Sequence, residues 1–269
     1  MTRADAPELR ALIWDVDGTL AETERDGHRV AFNCAFEAEG LAWRWDVETY
    51  GELLKVAGGM ERLIHDMGGR PDAPASDVAR ADLARVLHRR KNRCYAEMLD
   101  AQPIALRPGV LRMMDECGMS GIDQAIATTT SRGNLVALLD ASMAGDWRSR
   151  FVALVCAEDA PRKKPDPQAY RNALDALGLD APHAIAVEDS PNGLAAAHAA
   201  GIATLITRSV YFRNERFDGA AAICDDLDSR VVWQGGEAAH VDVAALRALL
   251  DARRLMTPTA ASASLQRTN

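Results

Sequence analysis

Five short apolar runs rich in Ile, Val and Ala punctuate the chain, at residues 11–16, 123–128, 151–156, 184–187 and 203–207. Runs of this length and composition predict strands buried on both faces. Between the later runs lie stretches with apolar residues at helical spacing and with recognisable ends. "GVLRMMDECG" stops on a glycine. "PQAYRNALDALG" starts on proline and ends on glycine. "SPNGLAAAHAAG" offers Ser as N-cap, Pro at the first helical position and a closing Gly. Strands alternating with helices predict βαβ units, and so an α/β fold built on a doubly wound, mostly parallel, Rossmann-like sheet.

Residues 25–103 break this rhythm. They hold no clear strand run, but "HRVAFNCAFEAEG" and "SDVARADLARVLHRRKNRCYAEMLDA" repeat apolar residues at helical spacing; Leu83, Val86, Leu87, Cys94, Tyr95, Met98 and Leu99 mark the stripe of the second. The expectation is a helical domain, 25–103, inserted after the first strand. The sheet domain is then 1–24 plus 104–255, with "AQPIALRPG" as the return linker and "VDVAALRALLDARRL" as a last helix. The small, polar stretch "TPTAASASLQRTN" within 256–269 is expected to be disordered.

Composition narrows the class without changing the fold. Of 269 residues, 48% are hydrophobic and 26% charged, enough for a substantial core. The net charge of −8 argues against a nucleic-acid binder. No apolar run approaches transmembrane length, and "MTRADAPELR" lacks a signal-peptide core, so no membrane partner and a cytoplasmic location are expected. The five cysteines, Cys34, Cys94, Cys117, Cys156 and Cys224, are scattered and odd in number, which predicts free buried thiols rather than disulfides or a zinc site. A monomer is expected. The basic run from His88 to Arg93 is expected to be a solvated helix face.

In a parallel sheet the C-terminal strand ends share one edge, where ligands bind. Here the first run ends on Asp15 and Asp17, the second on Thr128, Thr129 and Thr130, and the fourth on Glu188 and Asp189. Lys163 and Lys164 follow the third. Each feature alone could be a turn, a helix start or strand filler. Together they are a chemical pattern: crowded carboxylates resist joint ionisation unless a hard cation joins them. Mg²⁺ characteristically takes one or two carboxylates plus phosphate oxygens. Asp15, Asp17, Glu188 and Asp189 are therefore the candidate metal ligands, and a phosphate ester the candidate substrate.

The motif series "DVDGT", a run ending in Thr, "KP" and "EDS", in that order across about residues 9–235, resembles the haloacid dehalogenase-like (HAD) phosphatases, with the helical insert in the place of their cap domain. "DVDGTLAETE", "GGMERLI", "ATTTS", "KKPDPQAY" and "VEDSPNGLAAAHAAG" are most similar to the CbbY-type subgroup, related to β-phosphoglucomutase. That resemblance implies Asp15 as nucleophile, forming an aspartyl-phosphate. Asp17 is implied as general acid and then base, with its main-chain carbonyl on the metal. Thr128 would hydrogen-bond the phosphoryl group, and Lys164, which directly precedes Pro165, would neutralise phosphate charge.

The resemblance also nominates Glu24, His28, Tyr50, Gly58, Gly59, Arg62, Thr129 and Arg132 as contacts to a sugar phosphate. Tyr50 could equally be interior packing, and His28 a surface histidine. Met60 stands where the subgroup commonly carries lysine in "GGKER", and "ERDGHR" is slightly longer than the usual spacing. The implied reaction is conversion of xylulose 1,5-bisphosphate to xylulose 5-phosphate. The alternatives are a β-phosphoglucomutase-like phosphotransferase and a phospho-accepting receiver module, the latter disfavoured by the nucleophile's place on the first strand.

Overall fold

The structure, a computed structural model, describes residues 8–256. The five expected strands form as β1 (Ala11–Trp14), β2 (Asp123–Ala127), β3 (Ala153–Val155), β4 (Ala184–Glu188) and β5 (Ala203–Thr207). All run parallel, in the order β3-β2-β1-β4-β5. Three strands not expected from the sequence extend this sheet: β6 (Ala222–Cys224), parallel to β5, then β7 (Val231–Trp233) and β8 (Gly236–Ala238), antiparallel. Each is only three residues long, too short for periodicity to register. Gly235, at φ +98°, makes the tight turn that joins β7 to β8.

Alternation along the strands divides the interior in two. Leu12, Trp14, Ile126, Ile185, Val187 and Leu205 point to one face. They are covered there by α5 (Val110–Met119), α6 (Arg132–Ser142) and α9 (Val243–Met256). Ala11, Ile13, Ala125, Ala127, Ala184 and Ala186 point to the other, under α7 (Gln168–Leu177) and α8 (Pro191–Ala199). The second face is built mainly of alanine, so helices can approach it closely. The one buried polar residue of β2, Gln124, is satisfied: its Oε1 accepts from Trp14 Nε1 at 3.0 Å and its Nε2 donates to the Met114 carbonyl at 3.1 Å.

Between β1 and α5 the chain is helical: a π-helical turn (Glu24–His28) running into α1 (Arg29–Ala38), then α2 (Val47–Leu53), α3 (Gly59–Gly68) and α4 (Asp77–Ala101). These helices have an apolar cluster of their own, including Phe32, Phe36, Trp45, Tyr50, Leu63 and Leu87. The chain's few aromatic residues are concentrated here, with Trp45 packed edge-on against Phe36 at 5.0 Å between centroids. The π turn covers "ERDGH" and leads into α1 without a break in the helix. Gly27 is required within it, because a Cβ there would lie 2.7 Å from the Tyr95 ring.

The expectation of five free thiols is corrected in part. Cys34 of α1 and Cys94 of α4 form a disulfide with Cα atoms 6.3 Å apart, whereas Cys117, Cys156 and Cys224 are free and buried. The sequence interval of 60 residues hid the pairing; the packing of α1 on α4 brings the two together. Among the described residues no helix is long and apolar enough to cross a membrane. Of the tail expected to be disordered, 256–269, residues 257–269 lie outside the described residues, and residue 256 is instead the last of α9.

Candidate active site

At the C-terminal ends of β1 and β4, Asp15, Glu188 and Asp189 bring carboxylate oxygens within 4.8 Å of one another, all buried. Lys164 enters from the loop after β3. Its ammonium donates to Asp15 Oδ1 and to Glu188 Oε1, each at 2.6 Å. Tyr170 on α7 donates its hydroxyl to the same Glu188 oxygen at 2.6 Å. The Asp189 N–H reaches Glu188 Oε2 at 3.2 Å, which fixes the plane of the Glu188 carboxylate. Gly193 permits this placement, since a Cβ on it would collide with that carboxylate.

Three carboxylates around one ammonium leave two negative charges without a contacting cation. Burial, with Glu188 next in weight, pushes the Asp15 carboxyl up to about 8 against the pull of Lys164. Burial and the neighbouring Asp15 and Glu188 push Asp189 well above the carboxylate range. The same neighbours hold the Lys164 ammonium well above its ordinary value, although burial alone would lower it. A divalent cation removes this excess, so the donor set fits a hard metal such as Mg²⁺.

Asp17, two residues on, is in different company. Its Oδ1 accepts from Thr23 Oγ1 at 2.6 Å and lies 3.0 Å from His28 Nε2. Burial raises its carboxyl, but His28 and Thr23 outweigh that and hold it at about 2. His28 is buried, so it is not a surface histidine; the π turn aims its ring inward against Tyr95, 4.4 Å away. Gly18, at φ +89°, passes so close to Asp189 that a Cβ would meet its carboxylate. The buried Arg107 ties this loop down, donating to the carbonyls of Gly18, Thr207, Arg208 and Asp225.

Between the helical insert and the sheet edge is a cavity of about 220 Å³, and a smaller one of about 80 Å³, which shares Asp17, Glu24, Gly58, Arg62 and Thr129 with it, is lined by Asp15, Lys164 and Asp189. Asp17, Glu24, His28, Tyr50, Gly58, Gly59, Arg62 and Thr129 all line the larger. Tyr50 bridges two of these, donating to Glu24 Oε2 at 2.5 Å and accepting from Arg62 Nη1 at 2.7 Å. It is thus both interior packing and part of the cavity wall. Arg62 is held further by the Leu53 carbonyl at 3.1 Å. Thr128 is buried at the end of β2, its Oγ1 accepting from the Thr130 N–H at 3.1 Å. Arg132 is not brought to this cavity: its guanidinium turns to the Leu154 carbonyl and Asp159 Oδ2, at 3.0 and 2.5 Å.

The basic run needs correction. Helical periodicity splits it, and Lys91 and His88 turn inward to line the cavity while Arg89 and Arg93 stay exposed. The Lys91 side chain is buried and forms no hydrogen bond or ion pair among the described residues. Its Nζ lies 5.4 and 5.2 Å from the centroids of Phe32 and Tyr95. Burial pulls its ammonium down to about 8, and His88 is likewise lowered, to about 4. The signal for Lys91 was present in its three-residue spacing from His88 and Cys94, but the surrounding charges masked it. Lys163 also lines the cavity and pairs with Glu61, leaving Lys164 as the lysine on Asp15.

A sequence model of a hydrolase family, described as haloacid dehalogenase-like hydrolase, matches residues 9–201, and the chain belongs to that family. It is 44% identical over 245 residues to the plasmid-borne protein CbbY of Cupriavidus necator, covering 89% of this chain and 96% of that one. It also superposes on the crystal structure of CbbY from Rhodobacter sphaeroides in complex with phosphate. The TM-score is 0.75 and the identity 38%, over 81% of this chain and 94% of that one. A mutant of the same protein in complex with xylulose-(1,5)bisphosphate matches with the same figures.

Proposed function

We propose that the protein is a Mg²⁺-dependent phosphatase that hydrolyses a sugar phosphate through an aspartyl-phosphate on Asp15, with xylulose 1,5-bisphosphate as substrate. The observation that carries the reading is the pairing of Asp15 with Lys164 in a carboxylate cluster that lines a small cavity, which shares Arg62 and Thr129 with the larger cavity lined by Lys91 and Lys163. Residues 25–103 act as the cap. Asp15 and Asp189, with the main-chain carbonyl of Asp17 and with Glu188 as support, would hold the metal. When bound, it neutralises phosphate oxygens and the carboxylate cluster.

The chain's own groups account for the rest. Asp15 is aimed by Lys164, whose ammonium also neutralises the incoming phosphate. Attack by the carboxylate oxygen on phosphorus breaks the bond to the sugar oxygen, and that oxygen leaves with a proton from Asp17. In the described geometry Thr23 and His28 hold Asp17 ionised. That state suits the second half of the reaction, in which Asp17 takes a proton from the water that attacks the phosphoryl group and breaks its bond to the Asp15 oxygen, releasing phosphate and the free carboxylate. Thr128 and Thr129, at the end of β2, orient the phosphoryl oxygens.

The cavity wall favours a substrate with a second anionic group. Arg62, Lys91 and Lys163 all face it, and among the described residues no carboxylate contacts Lys91. Met60 lines the same wall, so Lys91 supplies positive charge where residue 60 does not. The solved relative bound to xylulose-(1,5)bisphosphate supports this choice. The test is phosphate release with Mg²⁺ over a panel of sugar mono- and bisphosphates. Preference for xylulose 1,5-bisphosphate with stoichiometric free phosphate supports the reading. Transfer of the phosphoryl group to a second sugar phosphate, without phosphate release, would mark a mutase instead.

A further inference from the structure

Asp15, Lys164 and Asp189 are each more than nine-tenths buried. They line a small cavity of about 80 Å³ that the insert closes with Leu54, Ala57, Gly58 and Arg62. Across that gap, Lys163 on the loop after β3 donates to both oxygens of Glu61, each at 2.6 Å. Glu61 stands in the first turn of α3, where the helix N-terminus favours a carboxylate. Gly58, which caps the same helix, has φ +96°, and a Cβ on it would collide with both the Glu61 carboxylate and the Lys163 ammonium. The absence of a side chain at Gly58 leaves room for this ion pair. The tie between α4 and α6, by contrast, is neutral, from Asn134 Nδ2 to Asn92 Oδ1 at 3.1 Å.

We infer that Glu61 and Lys163 form a latch that holds the insert closed over the carboxylate cluster, making Glu61 a positioning residue for closure. Lys163 is the neighbour of Lys164, so release of the latch loosens the chain one residue from the ammonium on Asp15. Gly58 then serves the latch by leaving room for it, in addition to lining the cavity. The effect on substrate rests on the phosphatase reading; closure itself does not.

The test is amide hydrogen exchange on the ligand-free protein, read in segments 58–64 and 160–166, for wild type, Glu61→Gln and the reversed pair Glu61→Lys with Lys163→Glu. Glu61→Gln should speed exchange in both segments about twofold to fivefold, the range a half-exposed ion pair supports. About 1 M salt, which weakens a partly exposed ion pair, should speed exchange in the same segments of wild type. The reversed pair should restore protection at low salt. Unchanged exchange in Glu61→Gln, or a reversed pair that exchanges as fast as that single variant, overturns the latch. With substrate, Glu61→Gln should raise KM about twofold to fivefold at little change in kcat. Wild type releasing no phosphate from any sugar phosphate would defeat the phosphatase reading and leave the exchange result to decide the latch.

Discussion

Lys91→Met separates what the buried ammonium does for folding from what it does for substrate. Among the described residues no carboxylate contacts the buried ammonium, and burial, only partly offset by Asp17 and Glu24, lowers it from 10.5 to about 8. That displacement corresponds to roughly 3 kcal/mol against the folded state. The sign follows from protons bound. Between pH 10.5 and 8 the unfolded chain holds the proton more tightly, so stability falls as pH drops through this window, and the whole penalty is present below about 8. Methionine removes the penalty but forfeits the ring contacts with Phe32 and Tyr95, worth roughly 0.5–2 kcal/mol. A net gain of roughly 1–2 kcal/mol should raise Tm by about 2–8 °C at pH 7. Binding should move the other way. Losing a charge-assisted hydrogen bond to a second phosphate costs about 1.5–3 kcal/mol, so KM for a bisphosphate should rise about 10- to 150-fold, with kcat nearly unchanged. For the corresponding monophosphate the change should be small. Steady-state phosphate release on both substrates and a thermal melt of each protein make the test. Equal KM for the bisphosphate in the two proteins, or a Tm lowered by several degrees, would refute the reasoning.

Four further outcomes are expected. Mg²⁺ binding to the metal-free protein should release protons at pH 7, because burial and mutual repulsion raise both Asp15, to about 8, and Asp189; calorimetry in buffers of different ionisation heat measures it. Metal-free protein should also lose stability as pH rises from about 4 to about 8, since Asp15 in the folded state holds a proton that the unfolded chain has released; melts across that range check it. Tyr50→Phe removes the hydroxyl between Glu24 and Arg62 and should raise KM by the equivalent of about 1–3 kcal/mol, with little effect on a metal-binding isotherm. Thiol titration of denatured, unreduced protein should find the three free cysteines, rising to five after reduction.

The parallel part of the sheet was legible because a strand buried on both faces must be apolar throughout, and its C-terminal edge then collects the polar residues that follow each run. Asp15, Thr128, Lys164 and Asp189 could be found that way before any coordinates. The three-residue strands β6 to β8 could not, although the Gln234-Gly235 pair is a hairpin signal. Helices α2, α3 and α6 were missed for other reasons. "VETYGEL" is too short for a period, "GGMERLIHDMGG" is bounded by glycine pairs, and α6 opens on the polar "SRGN". Lys91 was misjudged because charge identity dominates a one-dimensional reading, whereas only the helix face decides burial. The Cys34–Cys94 pairing depends on how α1 packs on α4, which no local pattern encodes.

The covalent role of Asp15 is tested most directly by trapping it. Wild-type protein mixed with Mg²⁺ and phosphate-labelled xylulose 1,5-bisphosphate, then acid-quenched within one turnover, should carry hydroxylamine-sensitive label on the peptide spanning residues 12–24. Asp15→Asn should carry none and lose on the order of 10⁴-fold or more in phosphate release. Label on another peptide, or undiminished turnover by Asp15→Asn, would contradict the account.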